Sequence, residues 1–294
     1  MAIHFDTNRR IIGCSNTNYL LEKSRVINQD AGERNYHAFY QLSLGAPAET
    51  RDRYQVGAPP AGGFKILEGG AERGESENFT EMMEAASSLG MADDEMDAVL
   101  RVTAAILHLG ELEFADEAEG EGSTVVGGPA LEAVAELLQI NGPGGGATAL
   151  GTALVFRTIQ SGRGSVMKVK LNAENAKNAR NSMMMNMYSA LFDWLIRRVN
   201  QAVAAEGFCD AQIGVLDIFG FEIFEHNGFE QLCINYANEM LQLHFNTYTF
   251  QRETELYKRE GINFEMVRVI AFLPTATTTR PSLRPPSLLV STHV

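Results

Sequence analysis

The sequence has little of what marks several large classes of protein. Its three cysteines, Cys14, Cys209 and Cys233, lie far apart and form no Cys-x-x-Cys motif, so neither a disulfide framework nor a zinc site is predicted. No apolar run is as long as a membrane span, and no signal peptide is recognised. Lys and Arg number 24 against 37 Asp and Glu, which argues against a nucleic-acid partner. We expect a cytoplasmic protein with reduced thiols, without nucleic-acid or membrane partners.

The chain also has no Gly-Lys pair, so it contains no phosphate-binding loop of the type Gly-x-x-x-x-Gly-Lys-Ser/Thr. The glycine-rich run 142–146 does not replace such a loop, because it follows a predicted helix and lacks the lysine. We interpret it as a turn. The length of 294 residues, 45% of them hydrophobic, is enough for one large domain or two modest ones.

The stretch around which the chain is organised begins with residues 213–218, whose apolar, β-rich sequence predicts a buried strand. Asp217, Gly220 and Glu222 stand at its end. A carboxylate there can hold Mg²⁺, directly or through a water, and a following glycine lets a backbone N–H approach a γ-phosphate. Asp-x-x-Gly is also an ordinary turn sequence, so the pattern alone leaves both interpretations open.

A long helix is predicted directly afterwards, because no Pro or Gly interrupts residues 229–260. Thirty residues of helix are about 45 Å long. Its apolar positions share one side of a 3.6-residue repeat: Phe229, Leu232, Cys233, Tyr236, Met240, Leu243, Thr247 and Phe250. A turn that senses phosphate, joined rigidly to such a helix, would carry a small displacement over a long distance.

The rest of the chain is predicted to be mostly helical after an initial hairpin. Helices are expected at 79–89, 93–109, 131–138 and 173–203, with Gly110 ending the second of them. Residues 43–75 and the acidic run 111–121 are interpreted as loops. Residues 154–169 are expected to form a hairpin or a surface loop, and His108 to be a packed core histidine and not a metal ligand.

The residues on both sides of Gly220 resemble switch II and the relay helix of myosin motor domains. The resemblance rests on Leu216-Asp-Ile-Phe-Gly-Phe-Glu-Ile-Phe-Glu225 and on Phe229-Glu-Gln-Leu-Cys-Ile-Asn-Tyr-Ala-Asn-Glu239. Residues 19–26 and 32–42 are similar to the strand after switch I and the helix that follows it. The resemblance covers about residues 3–267. It implies a P-loop-NTPase-like α/β fold, as a motor fragment with a mostly helical upper 50-kDa region and a few strands of the central sheet.

The resemblance implies a division of residues 1–267, the partial motor domain, into four parts. They are sheet strands after switch I (1–26), the helical upper 50-kDa region (27–209), a strand with switch II (210–225) and the relay helix (226–262). Residues 268–294 have no periodicity and several prolines, and are expected to be a disordered tail unrelated to myosin.

The family's site residues carry over to matching positions of this chain. Asp217 would face Mg²⁺ through a water, and Gly220 would donate its N–H to the γ-phosphate of ATP. Glu222 would pair with an arginine of switch I and help to position the attacking water. Asn238 and Phe221 would couple switch II to the relay helix.

Actin filaments are the partner that the resemblance implies, with a cytoplasmic, cytoskeletal location. By position, residues 154–169 correspond to a myosin loop that reaches actin, and Arg157, Arg163 and Lys168 are basic groups suited to an acidic partner. A solvated loop explains the same charges. Light chains are not expected, because the chain includes no neck.

The family is an actin-activated Mg-ATPase, yet the P-loop and switch I are missing from this sequence. Phosphoryl transfer needs several parts together, so this chain alone is not expected to bind ATP and Mg²⁺ tightly or to hydrolyse ATP. Two alternatives remain. The chain is a non-enzymatic actin-interaction module, or it is the product of an incomplete gene model.

Overall fold

The computed structural model describes residues 1–19, 21–29, 32–57, 63–67, 74–117, 122–142, 144–160, 166–224 and 227–262. The chain divides into two compact units, Met1–Asp217 and Ile218–Val294, here called unit 1 and unit 2. Unit 1 contains both helices and strands, so the α/β class expected from the sequence is confirmed. No helix among the described residues is long and apolar enough to cross a membrane.

Unit 1 begins with two strands, continues through helices and hairpins, and ends with a strand. Its strands are β1 (Ala2–Phe5), β2 (Ile11–Ser15), β3 (Glu113–Asp116), β4 (Ser123–Val126), β5 (Phe156–Gln160), β6 (Val166–Lys170) and β7 (Ala211–Gly214). Its α-helices are α1 (His37–Tyr40), α2 (Ala48–Arg53), α3 (Glu75–Ser88), α4 (Asp93–Glu111), α5 (Gly128–Leu137), α6 (Gly146–Val155) and α7 (Ala173–Ala202). A 3₁₀ turn (Lys23–Val26) precedes α1, and a π-helical turn (Gln41–Gly45) follows it.

The strands β2, β1 and β7 form a three-stranded antiparallel sheet in that order. The hairpin predicted at the start of the chain is therefore confirmed, although its second strand ends at Ser15. The predicted buried strand 213–218 is wrong in place and in burial. Strand β7 ends at Gly214, and the side chains of Ile213, Val215 and Leu216 are 57%, 48% and 56% exposed. Apolar sequence buries a strand only where other elements cover it, and among the described strands β7 pairs with β1 alone.

The core of unit 1 is built around α4, which is buried along almost its whole length. Glu95 accepts the Ala92 N–H at 2.9 Å, and Asp93 and Asp94 occupy the first turn, so its N-terminus is well stabilised. Helices α5 and α7 pack against it. Its most buried large neighbours in this core are Val26, Phe39, Leu42, Val56, Val134 and Met184.

Gly110 shows why one predicted helix end is wrong. Helix α4 continues through Gly110 to Glu111, because this glycine serves close packing and does not end the helix. A Cβ at position 110 would lie 2.8 Å from Cγ2 of Ile66, closer than carbon atoms can approach. The loops predicted at 43–75 and 111–121 also contain regular structure, namely α2 and β3, and α6 was not predicted.

A buried arginine joins α7 to the end of α4. Arg180 is 9% exposed, and its Nη1 donates to the carbonyl oxygens of Gly110 at 3.3 Å and Leu112 at 2.6 Å. Its Nη2 and Nε donate to Oδ1 of Asn181. Burial lowers the pKa of Arg180, and the partial negative charge at the C-terminus of α4 stabilises the cation. The contact satisfies carbonyl groups that a helix end leaves without partners.

Unit 2 contains the long helix α8 (Phe229–Glu260), which confirms the predicted helix and its bounds. Gln231 accepts the Gly228 N–H at 2.8 Å where α8 begins. The helix ends at Gly261, whose φ of 71° is left-handed and suits glycine. Most of the predicted apolar side is exposed: Phe229, Leu232 and Tyr236 are at least 60% exposed, and Ile234 is the one buried residue of the helix.

His108 lies on α4 with one ring nitrogen unsatisfied. The ring meets Phe64 edge to face, with centroids 5.6 Å apart. Its Nε2 is buried without a hydrogen-bond partner. Burial lowers the pKa of His108, and hydrogen bonds with the backbone of Gln55 and Tyr54 oppose the shift. His108 is thus a packed histidine, as expected, in surroundings that favour the neutral form of its ring.

Replacing Met184 by Ala should destabilise unit 1 by about 2–4 kcal/mol, because removal of the buried thioether side chain leaves a cavity between α7 and the core. Met184 is fully buried, whereas its neighbour Met185 is only half-buried. Met185→Ala is the matched control and should cost less than about 1.5 kcal/mol. Chemical denaturation followed by circular dichroism measures both, and equal losses would contradict the assigned packing.

The depressed pKa of His108 makes stability sensitive to acid. The unfolded chain takes up a proton near pH 6.5 while the folded chain resists it, so this contribution is present above about pH 6.5 and is lost as pH falls below it. His108→Phe should flatten the fall in the free energy of unfolding between about pH 6.5 and 5. His37→Gln, at an exposed position, is the control. An unchanged slope in His108→Phe would show that other groups cause the acid sensitivity.

Candidate functional site

The segment 220–222 is held against α8 by the side-chain amide of Asn235, which makes the same hydrogen bonds as a peptide group. Oδ1 of Asn235 accepts the Glu222 N–H at 2.7 Å, and Nδ2 of Asn235 donates to the Glu222 carbonyl at 2.8 Å. A primary amide has a carbonyl acceptor and an NH₂ donor group side by side, with the spacing of the C=O and N–H of a backbone. Asn235 therefore satisfies both backbone groups of Glu222, as a neighbouring strand would.

Two more asparagines extend this attachment. Nδ2 of Asn238 donates to the Gly220 carbonyl at 3.1 Å and to the Ile234 carbonyl at 3.0 Å. Asn227 accepts the Phe224 N–H and donates to the Phe224 carbonyl. Since Asn235 and Asn238 are three residues apart, they lie on the same face of α8. The segment 220–224 is thus held by side chains and not by a strand ladder.

The carboxylate of Glu222 has an unused acceptor. Its Oε2 is buried and has no hydrogen-bond partner among the described residues. A buried oxygen of this kind is costly unless a donor or a cation meets it. The carboxylate thus suits a cationic or hydrogen-bonding group that is not part of the described chain.

Gly220 stands where nothing fills the space beside it. A Cβ at this position would meet no heavy atom within 4 Å, so packing within the described chain does not require glycine here. Phe221 is 54% exposed. Asp217, the last residue of unit 1, is exposed. The described residues hold no group of three or more His, Cys, Asp or Glu side chains arranged for a metal ion.

Arg157 and Lys168 lie on the antiparallel hairpin β5–β6, so of the hairpin and the surface loop expected for residues 154–169 the structure shows the hairpin. Arg157 lies opposite Val169 and Thr158 opposite Lys168, so Arg157 and Lys168 point to different faces of the hairpin. Both are exposed. Ile159, Val166 and Met167 are also exposed, by 40%, 62% and 62%. Arg163 lies outside the described residues.

Asn235 was not singled out from the sequence, although its contacts to Glu222 are the shortest in this segment. A signal was present in the spacing of Asn235 and Asn238, two amides one helical turn apart. A search for helical periodicity counts apolar positions only. A polar side chain beside the apolar face, such as Asn235, cannot be told from a solvent-exposed residue by this pattern.

Comparison with known proteins gives the family. The family model described as Myosin head (motor domain) matches residues 1–273. Among relatives, Myosin-1 of Emericella nidulans is 38% identical over 91% of this chain. Unconventional myosin-Ia of Mus musculus and of Rattus norvegicus are each 39% identical over the same share. The chain spans only 22%, 26% and 32% of these three relatives.

The match covers nearly the whole chain, and it includes every residue of the sheet, the helical core, the segment 220–224 and α8. The predicted resemblance to myosin motor domains is therefore confirmed over residues 1–273, a match that extends into the first six residues of the tail 268–294, which lies outside the described residues and was expected to be unrelated to myosin. The chain belongs to the myosin head (motor domain) family.

Proposed function

We propose that this chain is the part of an actin-based, ATP-driven motor that senses the nucleotide and passes the signal to a long helix. The buried Oε2 of Glu222, which has no hydrogen-bond partner within the described part of the chain, carries the proposal. It fits an arginine brought by switch I. That pairing would convert a costly buried oxygen into a charge-assisted bidentate contact.

The residues next to Glu222 fit a phosphate and its metal ion. The open space beside Gly220 would let its N–H reach the γ-phosphate of ATP, since no side chain blocks the approach. Asp217 would hold a water on Mg²⁺. When bound, the metal ion neutralises charge that develops on the phosphate oxygens. Glu222 would orient the attacking water once the arginine fixes its carboxylate.

Coupling to the helix rests on the amide contacts. Asn235 and Asn238 fix the backbone of Glu222 and Gly220 to α8, so a displacement of either residue would be transmitted to the helix. Phe221 lies between Gly220 and Glu222 in the sequence, so its exposed ring would move together with them. On this proposal, residues 210–225 form a strand with switch II, and residues 226–262 form the relay helix.

The other two parts of the motor domain are assigned from the same family resemblance. Residues 1–26 would be sheet strands after switch I, and residues 27–209 the helical upper 50-kDa region, with actin reached through the hairpin β5–β6. The hairpin presents Arg157 on one face and Lys168 on the other, with exposed apolar side chains near the ends of its two strands, a mixture suited to an acidic partner surface. The same observation supports a second candidate, an actin-interaction module without ATPase activity. Either would act in the cytoskeleton.

Replacing Asn235 by Ala should free the Glu222 backbone. Loss of two hydrogen bonds at about 1 kcal/mol each should raise the exchange rate of the Glu222 amide at least tenfold. Hydrogen exchange by mass spectrometry or NMR measures this rate. Asn246→Ala is the control, because the side chain of Asn246 on α8 accepts from Gln242 and makes no hydrogen bond to segment 220–224. Unchanged exchange at Glu222 in Asn235→Ala would remove the basis for coupling.

The catalytic role is tested in a chimera that carries residues 1–262 in place of the matching segment of unconventional myosin-Ia of Mus musculus. The chimera should hydrolyse ATP with activation by actin, whereas the 294-residue chain alone should not. Glu222→Gln should lower turnover by about a hundredfold or more, with nucleotide binding retained.

Glu230→Gln, at an exposed position in the first turn of α8, is the matched control and should turn over ATP at the parent rate. Parent-level turnover in Glu222→Gln would overturn the proposed role. Actin binding by the chain alone, lost when Arg157 and Lys168 are both replaced by Ala, would favour the second candidate.

A further inference from the structure

A segment of unit 1 that the proposed function does not use is fixed against the edge of the sheet. Residues 203–210 run from α7 to β7 and make three backbone hydrogen bonds to the hairpin β1–β2. Cys14 N–H donates to Val203 at 2.8 Å, Glu206 N–H to Ile12 at 3.3 Å, and Asp210 N–H to Phe5 at 2.9 Å. These bonds hold Cys209 in one place above the end of β1.

Gly13 makes this close passage possible. A Cβ at Gly13 would lie 2.5 Å from the Cα of Ala205, so any other residue would push the segment away. Gly13 is also the residue opposite His4 in the β1–β2 ladder. Since it has no side chain, the His4 ring has room beside it.

Cys209, His4 and Ser15 form a connected chain of side chains across this edge. Sγ of Cys209 lies 3.5 Å from Nδ1 of His4, and Nε2 of His4 lies 3.0 Å from Oγ of Ser15. A nucleophile next to a base, with the base oriented by a third group, is the arrangement that activates thiols. Cys209 is exposed, so small molecules can reach the sulfur.

The arrangement can hold the proton in two places. In one, the thiol donates to the Ala211 carbonyl at 3.3 Å. In the other, the proton passes from Sγ to Nδ1 of His4. The imidazolium then donates one N–H to the thiolate and the other to Oγ of Ser15, so that neither ring proton lacks an acceptor.

We propose that Cys209 is a modification site that reacts with hydrogen peroxide. The thiolate sulfur attacks one peroxide oxygen, the O–O bond breaks, and sulfur is oxidised by two electrons to the sulfenic acid. The leaving hydroxide takes the proton from His4 and leaves as water. A low-molecular-weight thiol then condenses with the sulfenic acid, releases a second water and leaves a mixed disulfide.

The other two cysteines supply internal comparisons. Cys14 lies in β2 and is half-buried. Cys233 on α8 is exposed like Cys209, and no hydrogen bond joins it to a histidine within the described part of the chain. A difference in rate between Cys209 and Cys233 therefore reports the neighbours of the sulfur and not its access to solvent.

The 294-residue protein is treated with limiting iodoacetamide at pH 7, and alkylation of each cysteine is followed by peptide mass spectrometry. We expect Cys209 to react about tenfold faster than Cys233. His4→Gln should bring the Cys209 rate down to that of Cys233 without changing Cys233, and Ser15→Ala should lower it in part. In concentrated guanidinium the two cysteines should react equally.

Hydrogen peroxide followed by dimedone should label Cys209 before Cys233, and His4→Gln should remove that preference. Circular dichroism checks that each variant keeps the fold of the parent. Equal rates for Cys209 and Cys233 in the folded parent would overturn the proposal. An unchanged Cys209 rate in a folded His4→Gln variant would also overturn it.

Discussion

In the helical core of unit 1, one buried cation joins two of the longest helices, α4 and α7. Arg180 reaches from α7 to the carbonyl groups of Gly110 and Leu112. Leu112 is the single residue between the end of α4 and the start of β3. Loss of the guanidinium would remove both of these buried hydrogen bonds, and leaving a buried carbonyl unsatisfied costs more than the net gain of the bond itself. This contact and the buried apolar side chains between the two helices, Met184 among them, together hold α7 on α4.

At the candidate site the backbone of Glu222 is held by hydrogen bonds, whereas one oxygen of its carboxylate has none among the described residues. The Glu222 backbone is fully satisfied by Asn235, while its carboxylate oxygen Oε2 is buried without a partner. If Glu222 acts as we propose, its carboxylate is held in position before a partner binds, so little ordering remains to be done on binding. The structure thereby connects the family assignment to a specific proposal about how a nucleotide signal reaches α8.

The long helices could be predicted from the sequence, because their apolar residues recur with helical periodicity and no Pro or Gly interrupts them. Helices α7 and α8 are uninterrupted and agree with expectation almost to the residue. Gly110 was misjudged because its role is contact with Ile66, which is distant in sequence. The burial of residues 213–218 was misjudged for a related reason, since a strand's sequence does not say what covers it. At the site, the strand-end pattern points to Asp217, Gly220 and Glu222 and the family resemblance gives them roles, whereas Asn235 is identified only by its three-dimensional contacts.

The exposed apolar side of α8 has a thermodynamic consequence. Heat capacity rises on unfolding mainly because apolar surface becomes hydrated. In α8 the side chains of Phe229, Leu232 and Tyr236 already face solvent in the folded chain, so melting this helix adds little new apolar surface. Its unfolding should carry a small heat-capacity change for its length. Its stability should therefore vary almost linearly with temperature, unlike the curved profile of a segment with a buried core.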